Sequence, residues 1–175
     1  MRSFLFVPAD SPRKLEKSLT SGADAVIIDL EDAIAADQKE AARANAAAFI
    51  KGLAASASRP PIFVRVNGLE SGLTDADLDA VLPARPYGVV LPKGEGGTSI
   101  VHLDAKLTAR EAIHGIDEGA TKVFAFAIES PAALFLAGTY AGASPRLTGL
   151  TWGSEDLSYA FGGTEIGRAS CRERV

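Results

Sequence analysis

The 175-residue chain has few of the residues that most often carry chemistry: one cysteine, one methionine, one tryptophan and two histidines. A single cysteine excludes a disulfide framework and any metal site built from several thiolates. No apolar run approaches the roughly 20 residues of a membrane-spanning helix, and the apolar stretch before Pro8 is too short for a secretory signal. The net charge of −4 argues against a nucleic-acid-binding surface. We therefore expect a cytoplasmic protein that binds neither nucleic acid nor membrane.

Residues 166–175 differ in character from the rest of the chain. They hold three arginines, one glutamate and the only cysteine, and they show no apolar periodicity. The string IGRASCRERV resembles the translated end of a common sequencing adapter, and a natural basic tail is the alternative. Because such scars are excluded from fold reasoning, we expect one domain over residues 1–165, with a net charge of −6 and no cysteine. Cys171 is then not a candidate nucleophile.

Six short apolar runs alternate with helical segments along the chain, and short apolar runs of this kind are typical of buried parallel strands. The runs are residues 3–8, 25–29, 61–67, 88–92, 122–128 and 147–152. Residue pairs that favour a helix start lie between them. These are Ser11–Pro12, Asp37 with Glu40, Thr74 with Asp77, and Ser130–Pro131.

Strand–helix units of roughly 25 residues predict an α/β fold with a parallel sheet covered on both faces. A doubly wound sheet is one arrangement, but no glycine-rich phosphate-binding turn follows the first strand. Polar residues instead follow several strands in turn, as in a (β/α)8 barrel with its active site at the carboxyl ends of the strands. Such a barrel takes about 250 residues. We therefore predict a TIM (β/α)8 barrel that is truncated after about six βα units.

Acidic residues follow the second strand, where Asp29, Glu31 and Asp32 place three carboxylates within four residues. These groups repel one another unless a cation or hydrogen-bond donors lie nearby. The alternative is an acidic loop that caps a helix.

Arg65 lies inside the third apolar run, on the face that also carries Phe63 and Asn67, because side chains alternate along a strand. A guanidinium that faces a barrel interior is costly unless it is paired. It suits bidentate capture of a substrate carboxylate. The alternative is a structural ion pair with one of the carboxylates after the second strand.

Two further acids follow the fifth and sixth strands: Glu129 directly, and Asp156 shortly after Gly153. Adjacent strands of a barrel would allow the two carboxylates to converge. Without histidine or cysteine nearby, such a pair favours a hard cation such as Mg²⁺, which takes one or two carboxylates and completes its shell with water and substrate oxygens. The alternative is a pair of ordinary acids at helix N-termini, favoured by the helix dipole.

The remaining candidates are basic. His102 and His114 lie in the fourth helical segment, away from the strand ends, and are expected to be surface or packing residues. Arg13, Lys14 and Lys17 follow the first strand. They are either a solvated helix face or groups that meet the phosphates of a ligand.

Taken together, six motifs resemble the citrate lyase beta-subunit-like family, which includes citryl-CoA and malyl-CoA lyases within the aldolase/citrate lyase superfamily. They are RSFLFVPADSPRKLEKS, ADAVIIDLEDAI, VRVNG, GVVLPK, AIESPAAL and LTWGSEDLS, in this order. The resemblance covers nearly all of residues 2–163. It implies a TIM barrel that forms homotrimers or hexamers and acts on acyl-CoA thioesters with Mg²⁺, or with Mn²⁺ in its place.

The resemblance also implies roles for individual residues. Glu129 and Asp156 would ligate the metal, and Arg65 would bind the carboxylate of the oxo-acid portion, with Glu129 also near the substrate. Further substrate contacts are implied for Ser154, Glu155, Arg13 and Lys14, the last two with CoA phosphates. The acids Asp29, Glu31 and Asp32 would order the water molecules on the metal.

The expected function is carbon–carbon cleavage, or condensation, of a 3-hydroxyacyl-CoA such as citryl-CoA or malyl-CoA, with acetyl-CoA and an oxo-acid as products. Three alternatives remain: a CoA-independent hydroxy-oxo-acid aldolase, a malyl-CoA thioesterase, and a non-catalytic acyl-carrier-binding subunit. The sequence departs from the family by lacking the last two strands and a C-terminal segment that supplies a catalytic acid in several relatives. The stretch GEGG also replaces a more usual acidic–serine stretch. We therefore expect this fragment to be inactive alone.

Overall fold

The fold is known from a computed structural model that describes residues 1–53 and 59–163. The expectation that residues 166–175 are foreign to the domain, with Cys171 among them, lies outside the described residues. Within the described residues, no helix is both long enough and apolar enough to span a membrane.

Six parallel strands form one sheet in the described part of the chain, and they are ordered as they occur in the sequence. They are β1 (Phe4–Pro8), β2 (Ala25–Asp29), β3 (Ile62–Arg65), β4 (Gly88–Leu91), β5 (Lys122–Ile128) and β6 (Leu147–Trp152). Each is followed by a helix: α1 (Pro12–Ser18), α2 (Lys39–Gly52), α3 (Thr74–Val81), α4 (Gly97–Ile113), α5 (Pro131–Leu136) and α6 (Ser154–Ala160). The predicted α/β class and parallel sheet are confirmed.

The helix starts follow the sequence signals only in part. Ser130 caps α5 as predicted, because its hydroxyl accepts a hydrogen bond from the Ala133 N–H at 3.2 Å. The predicted capping box at Asp37 and Glu40 is wrong: residues Ala36–Gln38 form a separate 3₁₀ turn, and α2 starts after it without a side-chain cap.

The sheet is strongly curled, and aromatic rings show this directly. The rings of Phe4 on β1 and Phe124 on β5 have centroids 5.1 Å apart, and those of Phe6 and Phe126, two residues further along each strand, are 6.1 Å apart. In a flat sheet, strands four places apart are separated by roughly 19 Å. The first and fifth strands therefore face each other across a concave interior.

The predicted TIM barrel, truncated after about six βα units, is confirmed as a curled parallel sheet of six strands, and a closed barrel is not confirmed. The strands β1 and β6 stand at opposite ends of the pairing order and are not hydrogen-bonded to each other. Near the end of β6, Leu150 and Trp152 are 46% and 66% exposed. The observed unit is a curled open sheet whose main core lies between the strands and the helices, with a second apolar cluster on the concave face.

A buried ion pair ties α4 to the start of β6, at the end of the strands opposite the candidate site. Arg146 is only 2% exposed, and its Nη1 and Nη2 donate to the two carboxylate oxygens of Glu111 at 2.7 Å each. Glu111 also accepts the backbone N–H groups of Gly119 and Thr121. Nothing in the sequence pattern indicated this pair.

Gly88 at the start of β4 lies too close to its neighbours for a side chain to fit. A Cβ there would lie 2.5 Å from the Lys122 carbonyl oxygen and 2.9 Å from a ring carbon of Phe63. We expect Gly88→Ala to lower the free energy of unfolding by about 1–3 kcal/mol, as overpacking does, measured by urea denaturation. Gly52→Ala is the matched control, because a Cβ at the end of α2 meets nothing within 4 Å. Equal losses from both variants would contradict this steric account.

Candidate active site

The candidate site lies at the carboxyl ends of the strands, where β2 and β3 place an acid beside a base. Asp29 and Arg65 are paired in register. The Arg65 Nε and Nη2 donate to the two carboxylate oxygens of Asp29 at 2.8 and 2.7 Å, and Nη1 lies 3.0 Å from Glu31 Oε2. The ion pair that was the alternative interpretation of Arg65 is therefore present. Capture of a substrate carboxylate by the same guanidinium stays a prediction.

Arg65 remains at the wall of a cavity despite this pairing. Its guanidinium carbon lies 5.1 Å from the ring centroid of Phe6 and 5.9 Å from that of Phe126, within the range of cation–π attraction. The cavity has a volume of about 570 Å³. Its wall also carries Asp29, Asp32, Glu129 and the segment from Trp152 to Asp156. Ser154 and Glu155, predicted to contact substrate, are thus on this wall.

Glu129 and Asp156 come together as predicted. Both line the cavity of about 570 Å³ and also a second one of about 290 Å³. Glu129 is buried, whereas Asp156 is exposed. The pKa of Glu129 is raised to about 7, chiefly by burial and also by the carboxylates of Asp156 and Glu31, against the opposing effect of the Lys93 backbone N–H. Within residues 1–53 and 59–163 no lysine or arginine forms an ion pair with Glu129, although the charge of Lys93 lies near enough to lower its pKa.

Gly153 makes room for the Glu129 carboxylate. A Cβ at Gly153 would lie 2.7 Å from Glu129 Oε1 and 2.8 Å from its Cγ. Any other residue at this position would therefore displace the carboxylate. The turn after β6 is held in place by the Gly153 N–H, which donates to the Ile128 carbonyl at 3.0 Å.

The donor set of the site fits a magnesium ion better than a transition metal. Among residues 1–53 and 59–163, no cluster of three or more His, Cys, Asp or Glu side chains is arranged to hold a metal ion. Two carboxylates beside an open cavity match a cation that keeps several waters and takes the rest of its ligands from substrate. The pair Glu129 and Asp156 supplies that number of carboxylates.

The acidic loop after β2 is held by donors, as its charge requires. The Asp29 carboxylate accepts the backbone N–H groups of Glu31 at 2.9 Å and Ala33 at 3.3 Å, so it also caps the turn that follows. Glu31 is buried, and burial raises its pKa above the usual value despite nearby Lys93 and Arg65. Asp32 is more than half exposed. The loop therefore combines both interpretations, a capped turn and a set of carboxylates at the cavity.

Two lysines that the sequence analysis did not consider organise this loop. The Lys39 ammonium donates to the backbone carbonyls of Leu30 and Glu31, at 2.7 Å each, and to Asn67 Oδ1 at 2.9 Å. The Lys93 ammonium donates to Glu31 and, at 3.3 Å, to Asp32. Lys93 stands directly after a strand in the motif GVVLPK, and that position was the signal that could have identified it.

The basic residues of α1 and the histidines lie apart from this cluster. Arg13, Lys14 and Lys17 are exposed, and Lys14 and Lys17 border a mostly apolar groove of about 320 Å³ beside β1. The structure does not bring Arg13 or Lys14 into contact with the carboxylates. His102 and His114 are exposed on and just after α4, as expected of surface residues.

The chain belongs to the HpcH/HpaI aldolase/citrate lyase family, whose pattern matches residues 2–169. It is 37% identical over 161 residues to the citrate lyase subunit beta of Haemophilus influenzae, covering 89% of this chain and 52% of that protein. It is 33% identical over 177 aligned positions to the L-malyl-CoA/beta-methylmalyl-CoA lyase of Cereibacter sphaeroides, covering 98% and 54%. The resemblance inferred from the six motifs is confirmed.

A solved structure agrees with the sequence comparisons. The citrate lyase beta subunit of M. tuberculosis complexed with oxaloacetate and magnesium superimposes with a TM-score of 0.70 at 30% identity, covering 95% of this chain and 64% of that one. The chain spans about half the length of the curated relatives it matches.

Proposed function

We propose that this chain carries the metal and oxo-acid site of a Mg²⁺-dependent carbon–carbon lyase. The substrate would be a 3-hydroxyacyl-CoA such as citryl-CoA or malyl-CoA, and the products acetyl-CoA and an oxo-acid. The observation that carries the proposal is the convergence of Glu129, Asp156 and Arg65 on one cavity, in a chain of this family. The names of the relatives, a citrate lyase subunit and a malyl-CoA lyase, agree with that substrate class.

Glu129 and Asp156 would hold the metal. When bound, Mg²⁺ would polarise the oxygen that becomes the keto group, a Lewis-acid contribution worth several kcal/mol. The Lys93 N–H holds one oxygen of the Glu129 carboxylate, and Gly153, which has no side chain, leaves space for the other. Pre-placed ligands of this kind lower the cost of ordering the site when substrate arrives.

Arg65 would hold the carboxylate next to the cleaved bond. Because Asp29 engages both Nε and Nη2, the guanidinium plane is fixed before substrate binds. The rings of Phe6 and Phe126 lie against the guanidinium and restrict it further. Nη1, which faces Glu31 without a well-aligned hydrogen bond, is the group that an incoming carboxylate would engage.

The barrel itself is part of the proposal. The curled sheet, in which β1 and β6 are not paired with each other, is consistent with the first six βα units of a (β/α)8 barrel. The relatives are about twice as long as this chain, which is enough sequence for two more units. Residues 1–165 would then be a partial barrel domain. The complete protein would be a cytoplasmic homotrimer or hexamer with Arg13 and Lys14 near the CoA phosphates.

The test separates binding from turnover. Calorimetry of the 175-residue chain should show Mg²⁺ binding and Mg²⁺-dependent oxaloacetate binding, and Asp156→Asn should weaken the first at least about tenfold. In a protein extended to eight βα units, CoA-ester cleavage should depend on Mg²⁺. Turnover of free hydroxy-oxo-acids without CoA would indicate an aldolase instead, and release of CoA from malyl-CoA without carbon–carbon cleavage would indicate a thioesterase. Absence of Mg²⁺ binding would refute the proposal.

A further inference from the structure

Lys93, which follows β4, has an unusual backbone. Its φ of 53° lies in the left-handed region, which among non-glycine residues of the described part is shared only by Arg85, at 57°. A side chain with a Cβ adopts this conformation at a cost, and it persists only where surrounding contacts hold it. Lys93 therefore needs a physical reason for its conformation, and its contacts supply one.

The left-handed turn points two donors of one residue in different directions. The Lys93 N–H donates to Glu129 Oε2 after β5, while its ammonium donates to Glu31 and Asp32 after β2. Lys93 also lines two cavities, one of about 290 Å³ shared with Glu129 and Asp156 and one of about 460 Å³. No other lysine described here bonds to side chains from two of these strand ends.

We propose that Lys93 is a positioning residue for both halves of the proposed site. Its backbone N–H fixes one oxygen of Glu129, so that the other, Oε1, stays beside Gly153 where the metal would bind. Its ammonium pairs with Glu31 and Asp32, the two acids that Arg65 Nη1 also faces at 3.0 and 4.0 Å, so it offsets negative charge that would otherwise bear on Arg65 alone. The inference rests on the proposed function, because it assigns the roles of Lys93 within that site.

The role of the Lys93 backbone N–H and the role of its ammonium can be tested separately by substitution. Glycine adopts the left-handed region without strain, so Lys93→Gly keeps the N–H on Glu129 and removes the side chain with its ammonium. Valine is β-branched and disfavours this region, so Lys93→Val also turns the N–H away. Arg85→Val is the matched control: Arg85 has the same backbone conformation, and its side chain donates to the Gly115 carbonyl, away from the site.

We expect calorimetry on the 175-residue chain to distinguish the backbone role of Lys93 from its ammonium role. Lys93→Val should bind Mg²⁺ about tenfold more weakly, while Lys93→Gly and Arg85→Val stay within about threefold of the original affinity. Lys93→Gly should weaken Mg²⁺-dependent oxaloacetate binding about tenfold, and Lys93→Arg should restore most of it. Thermal unfolding should show that Lys93→Val and Arg85→Val lose similar stability, so the difference in Mg²⁺ affinity is local.

Each contrary result has a definite meaning. Equal Mg²⁺ affinity of Lys93→Val and the original chain would overturn the backbone role, and unchanged oxaloacetate binding in Lys93→Gly would overturn the ammonium role. If Arg85→Val weakened Mg²⁺ binding as much as Lys93→Val does, the effect of Lys93→Val would be explained by general destabilisation, and the inference would be overturned. If the original chain bound no Mg²⁺, the proposed function itself would fail, which distinguishes the two failures.

Discussion

Glu129→Gln is expected to abolish measurable Mg²⁺ binding and to lower lyase turnover of the extended protein by about 10³-fold or more. The amide has nearly the shape of the carboxylate and still accepts the Lys93 N–H, so the geometry of the turn is kept. What is lost is one of the two negative charges that the site offers a cation. A Lewis acid contributes several kcal/mol to such a step, and each 1.4 kcal/mol corresponds to about tenfold in rate.

The stability of the same variant distinguishes a lost ligand from a damaged fold. Glu129 is 8% exposed and its carboxylate is disfavoured by burial, so the neutral amide removes a buried charge. The melting temperature in metal-free buffer should therefore stay the same or rise. Glu118→Gln, in the exposed loop before β5, is the matched control and should change neither Mg²⁺ affinity nor turnover. If Glu129→Gln lowered the melting temperature, the loss of Mg²⁺ binding and turnover would be explained by misfolding and not by a lost ligand.

Arg146→Met is expected to have the largest effect on stability, lowering the free energy of unfolding by about 3–5 kcal/mol. The substitution leaves Glu111 charged and fully buried with only backbone donors. Breaking one member of a buried pair is costly because the remaining charge has no counterpart. Urea denaturation at neutral pH would measure the loss. Lys106→Met on the same helix breaks a half-exposed pair with Asp75 and should cost no more than about 1 kcal/mol.

The pH dependence of stability gives an independent check on this pair. Burial alone would raise the pKa of Glu111, but the Arg146 guanidinium and the N–H groups of Thr121 and Gly119 outweigh it and lower the pKa to about 2. Relative to an ordinary value of 4.5, the shift corresponds to about 3 kcal/mol. A depressed carboxyl pKa stabilises the fold above the unfolded value, and this stabilisation is lost as the pH falls from about 4.5 to 2. In Glu111→Gln the free energy of unfolding should fall less steeply with pH between about 4.5 and 2. An unchanged pH dependence would contradict the assignment of this stabilisation to Glu111.

Much of the architecture could be predicted from local pattern. The bounds of β2, β5 and β6 coincide with the apolar runs, because strands buried in a parallel sheet are written as continuous apolar segments. The third run, 61–67, was predicted too long. Its last residues leave the strand since the Asn67 N–H and side chain donate to the buried Asp77 carboxylate instead of to a neighbouring strand.

The candidate site was predictable in its members but not in all of its contacts. Position after a strand was enough to single out Glu129 and Asp156, because the carboxyl ends of parallel strands share one edge of the sheet, and Arg65 was singled out as a charged residue inside an apolar run. The sequence left undecided whether Arg65 binds a ligand or pairs with one of the acids after β2. Only the register of β2 against β3 shows that its partner is Asp29. Lys93 follows a strand in the motif GVVLPK and could have been singled out on that ground, but its double contact with Glu129 and with the acids after β2 depends on a left-handed backbone that residue type does not reveal.

The sequence by itself determined the order of strands and helices, the family and the residues that stand at the strand ends, since these depend on patterns within one segment at a time. The tertiary structure decided how far the sheet curls, which acids share Arg65 and Lys93, and that Arg146 and Glu111 meet in the interior. Such pairings join segments tens of residues apart. Their energies depend on burial and on distances of a few ångströms, which no local pattern encodes.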